Sequence, residues 1–193
     1  MRKPPKSGEA NPPAIVALTG FMAVGKSTVG RILGSLMRWS FLDLDCEIEC
    51  HSHLRIHEIF RMQGEQRFRQ VESAALRRVL DHACTPTVIA LGGGTFVQEP
   101  NVKLLLDHGV HVVFLELEVE ELLERCRCVR ERAPQNPRPL ADDAEAFCRL
   151  YAQRLPSYRR AELTVHTKGK AAEEIAREIV AALHLDDGEG RRR

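Results

Sequence analysis

The sequence predicts a three-layer α/β fold, a parallel β-sheet with helices on both faces, and three observations carry that prediction. Apolar strand-like runs alternate with segments of helical periodicity along the chain. Several of these runs are short and continuously apolar, as strands buried on both faces must be. The first leads directly into Gly20-Phe21-Met22-Ala23-Val24-Gly25-Lys26-Ser27-Thr28, which reads G-x-x-x-x-G-K-[ST]. That pattern between a strand and a helix is the setting a phosphate-binding loop requires.

The strand candidates are Ile15 to Thr19, Phe41 to Leu44, Val88 to Leu91, Val110 to Leu117 and Leu163 to Thr167. Helices fill the intervals. Val71, Ala74, Ala75 and Leu76, with Val79 and Leu80 beyond, keep helical spacing, as do Ile175, Ile179 and Leu183. Crossovers between parallel strands should be right-handed. No internal repeat interrupts the alternation.

A chain of 193 residues can bury one full core but is short for two sizeable domains. One domain is expected over residues 14–185, between a Pro-rich N-terminal tail (1–13) and an Asp/Gly/Glu and arginine tail (186–193). Lys and Arg number 28 against 27 Asp and Glu, so the charge balance demands neither nucleic acid nor an anionic membrane. No apolar run is long enough to span a bilayer. Arg2, Lys3 and Lys6 before Ala14 to Leu18 imitate a secretion signal, but the apolar stretch is short and runs into the phosphate loop. The six cysteines suit reduced thiols in the cytoplasm, and a monomer is expected.

The spelling of the loop follows from what it must hold. Gly20 and Gly25 let the backbone turn its N–H groups inward as an anion nest, and the following helix adds its positive end. Lys26 can reach the β- and γ-phosphates, and the Ser27 hydroxyl can hold Mg²⁺. In parallel sheets ligands bind at the carboxyl ends of the strands. The second strand ends in Asp43-Leu44-Asp45, the third in Gly92-Gly93-Gly94, and the fourth leads towards Arg130, Arg132 and Arg138-Pro139-Leu140. Carboxylates, glycines and arginines converging on one sheet edge suit phosphoryl transfer.

From Ile15 to Leu183 the chain resembles the shikimate kinases. The phosphate loop is followed in order by Phe41-Leu42-Asp43-Leu44-Asp45 with Ile48-Glu49, then Ile56-His57-Glu58-Ile59-Phe60, and then Gly64-Glu65 with Phe68-Arg69 and Glu72. Gly92-Gly93-Gly94, Arg138-Pro139-Leu140 and Arg154-x-Pro156-x-Tyr158-x-x-Ala161 complete the set. The phosphate loop alone is widely shared; the ordered set is specific. The resemblance implies a sheet order of 2-3-1-4-5 and transfer of a phosphoryl group from ATP to the shikimate 3-hydroxyl, on the chorismate route to aromatic amino acids.

It also implies roles. Gly20, Ala23, Val24, Gly25, Lys26, Ser27 and Thr28 would bind ATP, and Ser27 and Asp43 would serve Mg²⁺, Asp43 through water. Asp45, in the substrate region spanning about residues 43–72, would bind substrate hydroxyls. Arg69 and Arg154 would grip the substrate carboxylate, and Gly93 and Gly94 would contact it through backbone. Lys26, Asp45 and Arg138 form the expected catalytic set. Adenine would pack against Arg130 or Arg132, near Lys168 and Gly169; the lid spacing does not choose between the two arginines.

Plainer readings exist for several of these residues. Asp43 and Asp45 alternate along a strand end and could simply cap the next helix. Placed beside an acceptor hydroxyl, however, Asp45 could take its proton. Arg69 has Glu65 four residues before it and Glu72 three after, so helix-surface ion pairs alone would account for it. The alternative is that Glu72 orients Arg69 for a bidentate grip on a carboxylate. Three consecutive glycines forgo packing, which makes sense where a ligand lies against bare backbone. Residues 126–140, rich in arginine and broken by Pro134, Asn136 and Pro137, read as a lid that brings Arg138 onto the phosphates.

Three departures from the family's pattern stand at helix ends. Arg38 replaces a glycine, Ser40 replaces a frequent proline, and His53 with Leu54 occupies the region of a further glycine. Cys46, Cys50, His53 and His57 would form a stripe on a continuous helix, but such a stripe is too long to close around one ion. A gluconate-type kinase would use the same carboxylate grip. A GTPase switch would need N-K-x-D, which is absent, and a degenerate nucleotide sensor should have lost Asp45, Arg69 or Arg154.

Overall fold

The computed structural model describes residues 14–132 and 143–185. The two tails and the lid segment that contains Arg138 lie outside the described residues, as do the side chains of Arg130 and Arg132.

Five parallel strands form one sheet in the order β2-β3-β1-β4-β5. They are β1 (Ile15–Thr19), β2 (Ser40–Asp43), β3 (Thr87–Ala90), β4 (His111–Glu116) and β5 (Leu163–His166). The order implied by the resemblance is therefore the one observed. β1 is central, paired with β3 on one side and β4 on the other. Its residues alternate between two cores, as a strand's pleat requires. Val16 and Leu18 join the core made with α1 (Lys26–Met37), α5 (Val119–Arg132), α6 (Ala144–Tyr158) and α7 (Ala172–Ala182). Ile15 and Ala17 join the core made with α2 (Leu44–Ser52), α3 (Ile56–Asp81) and α4 (Glu99–Asp107). Helices thus cover both faces, and every residue of β1 is buried.

Local differences from the sequence reading have physical causes. The run Phe41 to Leu44 does not end as a strand, because Asp43 turns the chain. Its side chain accepts from the backbone N–H groups of Asp45 and Cys46, and α2 begins at Leu44. α2 stops at His53 (φ 54°), so Cys46, Cys50, His53 and His57 do not share one helix. Among the described residues no group of three or more His, Cys, Asp or Glu side chains is placed to hold a metal. α3 bends at Gly64 (φ 78°, ψ 171°), which separates the Ile56 turn from the Arg69 segment. The first part of the expected lid is helical, since α5 continues through Arg132. Arg38 closes α1 at φ 55°, a left-handed conformation that glycine adopts at less cost. No helix among the described residues is long and apolar enough to cross a membrane.

Candidate active site

The loop after β1 has the shape its sequence demands. Gly20 adopts φ 141° and Gly25 φ 102°. A Cβ on Gly20 would stand 2.7 Å from the backbone oxygen of Leu115, so only glycine fits there. Gly25 is the N-cap of α1, which aims that helix's positive end into the loop. Ala23, at φ 62°, holds a left-handed conformation as well. The Lys26 ammonium folds back on the loop, donating to the carbonyls of Gly20 (2.9 Å) and Phe21 (3.0 Å).

Asp43 and Asp45 flank the start of α2 and do different things. The Ser27 hydroxyl, in the first turn of α1, donates to Asp43 Oδ2 at 2.5 Å. Asp43 Oδ1 is engaged with the α2 N-terminus. A hydroxyl and a carboxylate oxygen held together beside a phosphate loop match the hard oxygen ligands that Mg²⁺ takes. Asp45 is half-buried at the side of the same cleft. Burial, then the neighbouring Asp43 charge, pushes its carboxyl up to about 6 against the pull of Lys26, with Glu72 and Glu49 adding to the rise. A carboxylate so placed is a better proton acceptor than an ordinary one.

A cleft of about 600 Å³ joins these parts. Ala23, Lys26, Ser27, Asp43, Asp45 and Gly93 are among the residues that line it. The phosphate loop, the Asp43–Ser27 pair and Asp45 therefore open onto one space. Lys168 does not line this cleft. It follows β5 with 62% of its side chain exposed and donates to Glu118 at 2.7 Å.

The third-strand glycines bring both arginines to the same place. Arg154, on α6, donates to the Gly93 carbonyl at 3.2 Å, and the buried Tyr158 hydroxyl donates to that same oxygen. Burial pushes the Tyr158 phenol up to about 12, so it stays a donor. Arg69 crosses over Gly94, where a Cβ would come 2.5 Å from its Nη1. Glu65 is bonded to Nη2 at 3.1 Å and Glu72 to Nη1 at 2.9 Å, so the ion pairs expected on a helix surface do form.

Their burial shows that this is more than a surface pair. Arg69 is 17% exposed and Glu72 only 1%. Glu72 Oε1 accepts from the Thr95 hydroxyl at 2.7 Å. The Arg69 Nε is buried and donates to nothing among the described residues. A guanidinium pinned by a buried carboxylate, with two of its five N–H donors bonded among the described residues, is prepared for a further anion.

Gly92, Thr95 and Tyr158 are the residues whose part in this arrangement sequence reasoning missed. A Cβ on Gly92 would meet Asp45 Oδ1 at 2.8 Å and both Glu72 Oε1 and Thr95 Oγ1 at 3.0 Å. The only signal for Gly92 was its place in a run of three glycines. Tyr158 stood in the quoted Arg154 motif with no role attached.

Fold and loop together define a P-loop phosphotransferase. The shikimate kinase family model matches residues 22–184. The shikimate kinase of Moorella thermoacetica is 40% identical over 173 residues, covering 89% of this chain and 95% of that protein. The shikimate kinase of Thermus thermophilus is 38% identical over 172 residues, covering 89% and 91% of the two chains. Among solved structures, the shikimate kinase from Acinetobacter baumannii in complex with shikimate superposes with a TM-score of 0.77 at 33% identity, over 94% of this chain and 97% of that one. The chain belongs to the shikimate kinase family. It is an enzyme of that family, and its reaction is the ATP-dependent phosphorylation of shikimate.

Proposed function

We propose that the cleft carries out this reaction through Lys26, Asp45, Arg69 and Arg154, with Mg²⁺ as cofactor. The observation that carries the reading is that Asp45 shares one cleft with the phosphate loop while Asp43, two residues earlier, bonds to Ser27. Arg69 and Arg154 would take the shikimate carboxylate, with the backbone of Gly93 and Gly94 alongside. That grip turns the 3-hydroxyl towards Asp45. As the hydroxyl oxygen bonds to the γ-phosphorus, its proton passes to the Asp45 carboxylate. The bond to the β,γ-bridging oxygen breaks, leaving shikimate 3-phosphate and ADP.

Lys26 would exchange its carbonyl partners for phosphate oxygens and follow the charge that develops on them. Ser27, and Asp43 through water, would hold Mg²⁺, which when bound neutralises charge on the β- and γ-phosphates. Closure by Arg138, with adenine against Arg130 or Arg132 and near Lys168, remains part of the proposal. A monomer as the working unit belongs to the same proposal. The six free thiols support a cytoplasmic setting.

The test is ADP release measured with shikimate, gluconate, quinate or no acceptor, each with and without Mg²⁺. Turnover is expected only with shikimate and Mg²⁺ together. Equal turnover without an acceptor would reduce the chain to an ATPase. Preference for gluconate would overturn the substrate.

A further inference from the structure

Behind the arginine that faces the acid lies a chain of buried contacts that reaches another part of the fold. Thr95 opens the short 3-10 turn Thr95–Val97 immediately after the three glycines. It is fully buried, and its hydroxyl donates to Glu72 Oε1 at 2.7 Å. Glu72 then has one oxygen held by Thr95 and the other by Arg69 Nη1 at 2.9 Å.

Thr95 is itself fixed from both sides. Its backbone N–H donates to Gly92 O at 3.1 Å, and its carbonyl accepts from the side chain of buried Asn101, on α4, at 3.1 Å. Because Gly92 has no side chain, Asp45 Oδ1, Glu72 Oε1 and Thr95 Oγ1 all close on the space that its Cβ would take.

A buried carboxylate with a free oxygen would turn to find a donor, since an unmet buried acceptor costs about 1–3 kcal/mol. Among the described residues no other hydrogen bond reaches Glu72 Oε1. Without the Thr95 hydroxyl, the bond that Glu72 keeps among the described residues is the one from Arg69 Nη1. The carboxylate would rotate towards the guanidinium and draw it away from its seat over Gly94.

We propose that Thr95 is a positioning residue for acid recognition: its hydroxyl locks Glu72, and Glu72 sets the plane in which Arg69 meets the substrate carboxylate. The inference rests on the reading of Arg69 as the carboxylate grip.

The test is steady-state kinetics of Thr95→Val, Thr95→Ser, Arg69→Lys and the Thr95→Val/Arg69→Lys double variant. Thr95→Val should raise KM for shikimate about tenfold, the lower end of losing one hydrogen bond to a charged group. Its KM for ATP and its kcat at saturating shikimate should stay close to wild type. Thr95→Ser, which keeps the hydroxyl, should restore most of the shikimate KM. In the double variant the Thr95→Val change should add little to the Arg69→Lys defect, because the two act through one contact. Thr95→Ala, which removes the hydroxyl without burying a new methyl, gives the same readout should the valine variant fail to fold.

Wild-type shikimate KM in Thr95→Val or Thr95→Ala would overturn the proposal. So would equal losses for shikimate and ATP, a serine variant as impaired as valine, or additive defects in the double variant. If Arg69→Lys itself captures shikimate normally, the arginine reading fails. If Arg69→Lys is impaired while Thr95→Val is normal, only the Thr95 inference fails.

Discussion

The carboxylate of Asp45 takes up space that a side chain on Gly92 would need: a Cβ there would stand 2.8 Å from Oδ1. The glycine thus sets where the Asp45 carboxylate, the proton acceptor we propose, lies. Gly92→Ala must push Asp45 off that position, and a displacement of about 1 Å costs up to ~10²-fold in rate. The expected result is a kcat lowered roughly 10- to 100-fold with ATP binding intact. Near-normal kcat would show that Asp45 reaches its working position from elsewhere.

Titration of Asp45 links activity to stability. Since the carboxyl must be ionised to take a proton, kcat/KM of the free enzyme should fall as pH drops below about 6. The folded chain keeps a proton that the unfolded chain, with its ordinary value of 3.8, has already released. Stability therefore falls as pH rises from 3.8 to about 6, and the whole penalty is present above that window. Asp45→Asn removes the penalty. The variant should be inactive yet more stable than wild type at neutral pH by at least ~1 kcal/mol, a conservative share of the shift. The advantage should vanish near pH 4; urea midpoints at several pH values measure it. A variant no more stable at neutral pH would contradict the raised titration.

Arg69→Lys keeps the charge but replaces a planar fork with a point donor. Loss of one charged hydrogen-bonded contact, roughly 1.5–3 kcal/mol, should lower kcat/KM for shikimate about ten- to a hundredfold. ATP affinity measured without shikimate should barely change. Parallel losses for both ligands would point to a damaged fold, and wild-type kinetics would return Arg69 to the helix surface.

Arg38 offers a gain. Its left-handed φ of 55° is one in which glycine carries no Cβ penalty, and its backbone N–H bonds to Ser35 O are available to any residue. Arg38→Gly should stabilise the chain by about 0.5–1 kcal/mol without altering kinetics, read as a higher urea midpoint. A lower midpoint would mean that the arginine side chain contributes more than the strain it brings.

How far the sequence was legible varies residue by residue. Ile15 to Thr19 announced its strand because a segment buried on both faces leaves a nearly unbroken apolar run. Leu44 misled, since an apolar residue after Asp43 looks like more strand, whereas the Asp43 side chain caps a helix there. Arg69 was undecidable from spacing because both ion pairs that the spacing suggests are real. What distinguishes it is that Glu72 is buried, a property of tertiary packing. Thr95 gave no sign, as its partner lies 23 residues earlier on another element. Lys168, expected near the nucleotide, follows β5 and donates to Glu118, a partner that its place in the sequence does not reveal.

The two halves of the site hang from strands of unequal rank in the sheet. β1, which carries the phosphate loop, is paired on both sides, while β2, which carries Asp43 and leads to Asp45, is a four-residue edge strand paired only with β3. Edge segments open locally at lower free energy than central ones. Backbone amides of β2 and α2 should exchange with deuterium well before those of β1. Shikimate, by tying α2 and α3 to the glycines after β3, should slow that exchange more than a nucleotide does. The acceptor half would then gain its rigidity from the substrate, while the nucleotide half already has it from the fold.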